Sequence, residues 1–201
     1  MTRAVPRPHG VGGRQGGVGG GSPWYPSLVS TPSLVSILSV CQGAGMKMRR
    51  GRLRDLPDLL DLEAASFEVE RRDSPASIER SLTSSHQEVW LAVDRRRTMG
   101  AIFLRFWSRT VRIHSLAVAQ RARGGGIGAR LLASAAGRAR RRGCRQIHLE
   151  ADCHDRRLVA WYRKHGFAPI REIEDYYAPG WNALRMSRSP IQGRVSQPRV
   201  R

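Results

Sequence analysis

The sequence predicts a mixed α/β domain built on one central sheet, and three observations carry that prediction. Short runs alternate apolar and polar residues with period two. Between them, apolar positions recur at helical spacing, and Gly, Pro, Ser and Asp mark the boundaries. From Met48 onward the elements run βαα-βββ-α-β-α-ββ, which interleaves strands and helices in one layered unit.

The elements follow in chain order. Met48–Leu53 reads as a first strand. Asp55 is placed as the N-cap of a helix reaching about Phe67, with Pro57 tolerated in its first turn and Leu59, Leu60, Leu62, Glu63 and Phe67 giving a mixed amphipathic face. Ser74-Pro75 opens a second helix to about Leu82. Glu88–Val93 and Met99–Trp107 are strands, and the polar stretch Asp94–Thr98 predicts that they pair as a hairpin. Val111–Ala119 is the strand that feeds a glycine-rich loop. Ala129–Arg142 is the helix after it, with Leu131, Leu132 and Ala135 inward and Gly143 as its stop. Gln146–Ala151 is a strand, Asp155–His165 a helix stopped by Gly166, and Ala168–Ile173 and Ala183–Ser187 complete the sheet.

With 201 residues the chain fits one domain and a tail. Residues 1–45 hold glycine runs, the repeated Pro-Ser-Leu-Val-Ser at Pro26 and Pro32, and no Asp or Glu. They lack a periodic apolar face, so they are predicted to be a disordered extension or to lie upstream of a start at Met46 or Met48. Leu34–Val40 behind Arg3, Arg7 and Arg14 also resembles a short signal core, Leu38–Cys41 hints at a lipoprotein box, and a transit peptide is compatible with the composition. The folded domain is placed at 46–188 and a basic disordered tail at 189–201. The net charge of +19 is carried by arginine, with Lys47 and Lys164 the only lysines. It reads either as a footprint for RNA, a ribosome or a polyanionic cofactor, or as a compositional bias on solvated surfaces. Arg138, Arg140, Arg141 and Arg142 sit where a helix C-terminus favours cations anyway. Cys41, Cys144 and Cys153 form no framework, and the scattered histidines predict no metal site, His154 beside Cys153 included. No apolar run approaches the ~20 residues that span a bilayer, so the expected location is the cytoplasm, away from membranes.

The segment Arg123-Gly124-Gly125-Gly126-Ile127-Gly128 joins strand to helix. Glycines permit φ > 0 and close approach, and the open N–H groups of the helix start favour an anion. A Walker A loop is excluded because Ile127-Gly128-Ala129-Arg130 stands where Gly-Lys-Ser/Thr is needed. A dinucleotide fingerprint is formally present in Gly124, Gly126 and Ala129, with Glu150 as ribose reader, but only about 50 residues follow Glu150. Coenzyme A is the third reading, with its pyrophosphate in the cradle and Arg123 at the entrance.

Ser115–Leu132 resembles motif A of the GNAT N-acetyltransferases, in which Arg/Gln-x-x-Gly-x-Gly/Ala is filled by Arg123, Gly126 and Gly128. Leu149-Glu150-Ala151, then Asp155, then Leu158–Phe167 is similar to the family's strand, helix start and Leu-Tyr-x-x-x-Gly-Phe, with Asp155 where Asn is usual. Tyr176–Met186 resembles the tail of the ribosomal-protein-alanine and related N-terminal acetyltransferases, with Trp181 and Asn182 in place of an acidic pair. The resemblance implies a mostly antiparallel mixed sheet, splayed at the cofactor strand and flanked by about four helices. It implies acetyl transfer from acetyl-CoA to a primary amine, most simply a protein N-terminus. A small-molecule amine acetyltransferase, or a non-catalytic acyl-CoA- or RNA-binding protein, are the other readings.

Transfer from a thioester needs a neutral amine, a stabilised oxyanion and a protonated leaving thiolate. By the resemblance, Glu150 takes the amine's proton through water, and Tyr162, twelve residues on, gives one to the sulfur. The cofactor would lie on Leu116, Ala117, Val118, Arg123, Gly124, Gly125, Gly126, Ile127, Gly128, Ala129 and Asp155, with an amide of Leu116–Val118 meeting the thioester carbonyl. Ser115 and His114 as a nucleophilic pair are set aside, because such a pair needs a third orienting group within reach, which sequence neighbours in a strand cannot supply. Tyr176, Tyr177 and Trp181 are a local aromatic excess beside Pro179-Gly180, a turn that would present the rings as a wall for the acceptor.

Overall fold

The computed structural model describes residues 45–190. The expectations for the glycine-rich leader up to Ala44 and for the tail beyond Pro190 lie outside the described residues. The strands are β1 (Lys47–Arg50), β2 (Gln87–Asp94), β3 (Arg97–Phe106), β4 (Thr110–Val118), β5 (Gln146–Asp152), β6 (Ala168–Ala178) and β7 (Trp181–Arg188). The helices are α1 (Leu56–Ala64), α2 (Pro75–Thr83), α3 (Ile127–Arg141) and α4 (Arg156–Lys164). The predicted order is therefore the observed one. The strands form a single mixed sheet in the order β1-β2-β3-β4-β5-β7-β6.

The period-two alternation decides which face each helix pair covers. Val89, Leu91, Ala101, Phe103 and Ala117 point to the side packed by Leu59 and Leu62 of α1 and Ile78 of α2. Ile102, Leu104, Val111, Ile113, Ile147 and Leu149 point to the other, packed by Leu131, Leu132 and Ala135 of α3 and Val159 and Tyr162 of α4. All pairs are antiparallel except β4 with β5, which run parallel only from Thr110↔Gln146 to Arg112↔His148. Beyond Arg112 the two strands diverge, and this splay creates the site. Register slips on the β3 side between Phe103↔Ser115 and Leu104↔Ile113, so His114 is the extra residue of a β-bulge.

Several elements differ from the prediction. Asp55 occupies the cap position of α1, but its side chain makes no cap bond. It takes two 2.7 Å hydrogen bonds from Arg49 and a third from the Arg52 amide. The ion pair outcompetes the cap because a guanidinium fork satisfies both carboxylate oxygens at once. By contrast, Ser74 does cap α2 through the Ser77 amide. The β2–β3 connection tightens to Arg95–Arg96, both at positive φ. Strand β6 continues to Ala178 by arching over Glu174–Tyr177, between Ile173↔Ala183 and Ala178↔Trp181. Gly143 and Gly166 end α3 and α4 at positive φ, as expected. Among the described residues, no helix is long and apolar enough to cross a membrane.

The cation cluster at the end of α3 has a structural employment. Glu88 is fully buried, and its carboxylate receives Arg138 at 2.7 and 2.8 Å, Arg142 at 2.8 Å and the Trp90 indole at 2.8 Å. Burial opposes its ionisation, but the hydrogen bonds from Arg138 and Trp90 prevail and hold the carboxyl at about 2. Arg140 reaches the carbonyl of Pro190.

Candidate active site

Two concavities meet where β4 and β5 separate. The first is a groove of about 690 Å³ along β4, the glycine loop and α4. Leu116, Ala117, Val118, Arg123, Gly124, Gly126, Ile127, Gly128, Ala129 and Asp155 all line it; of the sequence-predicted cofactor residues, Gly125 alone does not. Gly126 supplies the backbone turn into α3 at φ 75°, a value that a β-branched residue resists. No side chain caps that helix, so the amides of Ile127, Gly128 and Ala129 stay open to an anion. Gly128 is required for another reason. A Cβ there would lie 3.0 Å from the Trp161 ring, so any larger residue would have to push that ring away from α3.

The edge of β4 completes the groove. The Ala119 amide bonds back to Met99 on β3. Alternation along the ladder then turns the peptide groups of Leu116 and Val118 toward the side that β5 has vacated. The Val118 carbonyl accepts from Arg123 Nε at 3.1 Å, which ties the glycine loop to the strand. Asp155 caps α4 through the Leu158 amide at 2.9 Å, as a helix-start residue should.

The second concavity, about 250 Å³, is lined chiefly by charged and aromatic side chains. It shares Phe67, Arg71, Leu116 and Leu158 with the groove. Glu150 and Tyr162, the two sequence-predicted catalytic residues, both line it. The Tyr162 ring is 6% exposed and packs edge-on against Trp161 and Phe167. Its hydroxyl has no hydrogen-bond partner among the described residues, and burial pushes the phenol above its ordinary range, so it stays protonated. The side chains of Ser66, on the groove, and Ser115, on the pocket, also carry buried hydroxyls without a partner. Buried polar atoms left without a protein partner at a cavity wall are what a ligand with amides and carbonyls would satisfy.

Glu150, expected to take the amine's proton through water, is buried in an ion-pair network. Its side chain is 2% exposed and clamped on both oxygens, by Arg112 Nε at 2.7 Å and by Arg185 at 2.8 and 2.9 Å. Strand register explains the clamp: Glu150 faces Arg185 directly across β5–β7, and Arg112 pairs with His148, two residues along the same strand. Arg112 also donates to the Tyr176 hydroxyl.

The aromatic segment lies inward, contrary to the prediction from Pro179-Gly180. Tyr176, Tyr177 and Trp181 are half-buried, and Arg71 lies over the Tyr177 ring at 4.3 Å and the Trp181 ring at 5.3 Å. The Tyr177 hydroxyl donates to the Glu150 carbonyl, and its phenol is pushed up to about 12, mainly by burial. The Trp181 indole donates to Asp152 at 2.8 Å, so Trp181 backs the pocket while Tyr176 and Tyr177 line it. The β6 arch turns the rings in, and the left-handed Asp175 that starts it accepts from the Gly180 amide. Asp152 also stands beside Cys153 and His154, with their ligating atoms within 4.8 Å of one another. Two of its bonds already go to Trp181 and the His154 amide.

Sequence reasoning missed Glu63, Arg71, Asp73, Arg112 and Arg185, and it weighed His114 only as part of a nucleophilic pair. No local pattern marks them, since they come from α1, the segment before α2, β4 and β7.

Comparison with known proteins agrees with this architecture. The model of the acetyltransferase (GNAT) family matches residues 56–167. The fold is shared with the ribosomal-protein-S18-alanine N-acetyltransferase from Escherichia coli, at TM-score 0.67 and 15% identity over 76% of this chain and 98% of that one. It is shared with a ribosomal-protein-alanine N-acetyltransferase from Brucella melitensis, at TM-score 0.61 and 22% identity over 71% and 99%. An aminoglycoside 6'-N-acetyltransferase complexed with coenzyme A matches at TM-score 0.62 and 17% identity over 74% and 99%. No curated protein matches the chain in sequence.

Proposed function

The chain belongs to the acetyltransferase (GNAT) family, and from that premise we propose that it acetylates the α-amine of a protein N-terminus, such as that of a ribosomal protein. The observation that carries the reading is the junction at Leu116. A groove with an open strand edge and an uncapped helix start runs into a small pocket whose wall holds an unpartnered, protonated tyrosine. A pocket of about 250 Å³ admits a chain end of one or two residues rather than a multi-ring amine. Two proteins of the same fold are named for acetylating an alanine of a ribosomal protein, and the cation excess of this chain suits such a setting.

Acetyl-CoA, the donor used in this family, supplies an activated acetyl thioester, and the residues present fit it. The amides of Ile127, Gly128 and Ala129 would hold its pyrophosphate, with the positive end of α3 behind them. The open peptide groups of Leu116 and Val118 would pair with its amides like an added strand, and one of their N–H groups would polarise the carbonyl. Tyr162 gives its proton to the departing sulfur. Glu150 holds Arg112 and Arg185 in place, and through Arg112 it positions Tyr176. For Glu150 to accept a proton directly, a guanidinium would have to give way.

The test is mass spectrometry of a proteome incubated with the protein and isotopically labelled acetyl-CoA. Label on α-amines with a restricted first residue is the expected result. Label confined to lysine side chains, or turnover only with polyamines or aminoglycosides, would overturn the N-terminal reading.

A further inference from the structure

The wall of the acceptor pocket opposite Glu150 holds a chain of three polar residues that the proposed reaction leaves unused. Glu63 on α1 is 4% exposed, and its Oε1 accepts from the Asp73 amide at 3.1 Å. Asp73 lies in the segment leading into α2. Burial works against its ionised form, but hydrogen bonds from His114 and Ser77 prevail and hold its carboxyl below the usual range. His114, the bulged residue of β4, places Nε2 3.0 Å from both oxygens of Asp73. Its Nδ1 has no partner among the described residues, and the ring lines the pocket.

This geometry selects one tautomer. Neutral His114 donates Nε2–H to the carboxylate and leaves the Nδ1 lone pair free. A carboxylate orienting an imidazole is the arrangement of a built general base. The bulge matters here, because the extra residue re-aims a side chain that regular pleating would orient differently. The remaining charged and titratable groups that line the pocket are Glu63, Glu70, Arg71, Arg112, Glu150, Tyr162, Tyr176 and Tyr177. Arg112 is committed to Glu150 and Tyr176, and Arg71 to Asp152 and the rings of Tyr177 and Trp181. Burial pushes the Glu63 carboxyl above its ordinary range, so it is Asp73 and Glu70 that present negative charge to an arriving ammonium.

We propose that His114 is the catalytic base that deprotonates the acceptor amine, that Asp73 is its positioning residue, and that this carboxylate-rich wall selects a cationic α-ammonium as the acceptor. The proposal rests on the acetyl-transfer reading above. The ammonium gives one proton to Nδ1 of His114. The freed lone pair forms the N–C bond as the C–S bond breaks, and Tyr162 protonates the thiolate. The nascent amide sheds its surplus proton to restore Tyr162, and the imidazolium passes its own to solvent.

The experiment measures full-chain turnover on short peptides with free N-terminal Ala, Ser or Met, across pH, for the wild type, His114→Ala, His114→Gln, Asp73→Asn and Glu150→Gln. Binding of coenzyme A to each variant reports that it is folded. His114→Ala and His114→Gln are expected to lower kcat roughly 100-fold with KM for acetyl-CoA within about twofold. Added free imidazole should restore turnover of His114→Ala in proportion to its neutral fraction, an effect that a structural role would not produce. Asp73→Asn should lower kcat about tenfold and alter the ascending limb of the kcat profile, because the ring loses the carboxylate that orients it. Glu150→Gln should leave that limb in place. If both His114 variants keep kcat within twofold, or if only Glu150→Gln erases the limb, His114 is not the base. If the wild type binds coenzyme A but acetylates no peptide, the N-terminal reading fails instead.

Discussion

The cofactor groove and the acceptor pocket share a border at Leu116 but are made of different material. The groove is mostly backbone: an open strand edge, a left-handed glycine and the uncapped start of α3. The pocket is mostly side chain: carboxylates, guanidiniums and rings brought from α1, β4, β5, α4 and β6. A backbone site tolerates change in most side chains around it. A side-chain site can be rewritten residue by residue, so in the proposed function acceptor choice would reside there. The two therefore fail differently when mutated.

The largest expected effect lies outside both and calibrates them. Glu88→Ala should cost about 2–3 kcal/mol of stability, because a buried carboxylate with several charged hydrogen bonds is lost while solvent can reach the freed Arg138 and Arg142. The folded-state value of Glu88 is depressed, so its stabilisation is present above the ordinary glutamate value and is lost as pH falls toward about 2. Chemical denaturation between neutral pH and pH 2 checks this: the wild type should lose more stability over that range than Glu88→Gln. If Glu88→Gln also changed acceptor kinetics, the separation of fold from pocket would be wrong.

Next in size is Tyr162→Phe, expected to lower kcat roughly 100-fold while KM for acetyl-CoA stays within about twofold. A large rise in that KM instead would place Tyr162 in the groove. Gly126→Val forces a β-branched residue to φ 75°, and it should raise KM for acetyl-CoA about tenfold with acceptor KM little changed. Equilibrium titration with coenzyme A gives the same comparison without turnover. The smallest effect sharpens the groove itself. Asp155→Asn keeps the cap on α4 but removes an anion from the wall, and it should tighten coenzyme A by about twofold to fivefold at low salt. The gain should fade as ionic strength rises.

The same division explains what was legible in the sequence. The cofactor residues fall in one run, 116–129, because strand, turn and helix start are consecutive in the chain; Asp155 adds only a cap. Asp55 shows the limit of such reading, since an Arg49 partner redirected a side chain that local rules assigned to a cap. Trp181 shows it again: a turn motif predicted a presented ring, and the arch in β6 folded it inward. The resemblance pointed to Glu150 and Tyr162, and both line the pocket, but their environments were not legible in the sequence.

By itself the sequence determined the element order, the two faces of the sheet and the donor loop, because periodicity and backbone freedom act over a few residues. Only the tertiary structure decided that Glu150 is clamped by Arg112 and Arg185, and that Asp73 orients His114 from 41 residues away. Those pairings depend on strand register, the splay beyond Arg112 and the bulge at His114, which are set by packing across the whole sheet.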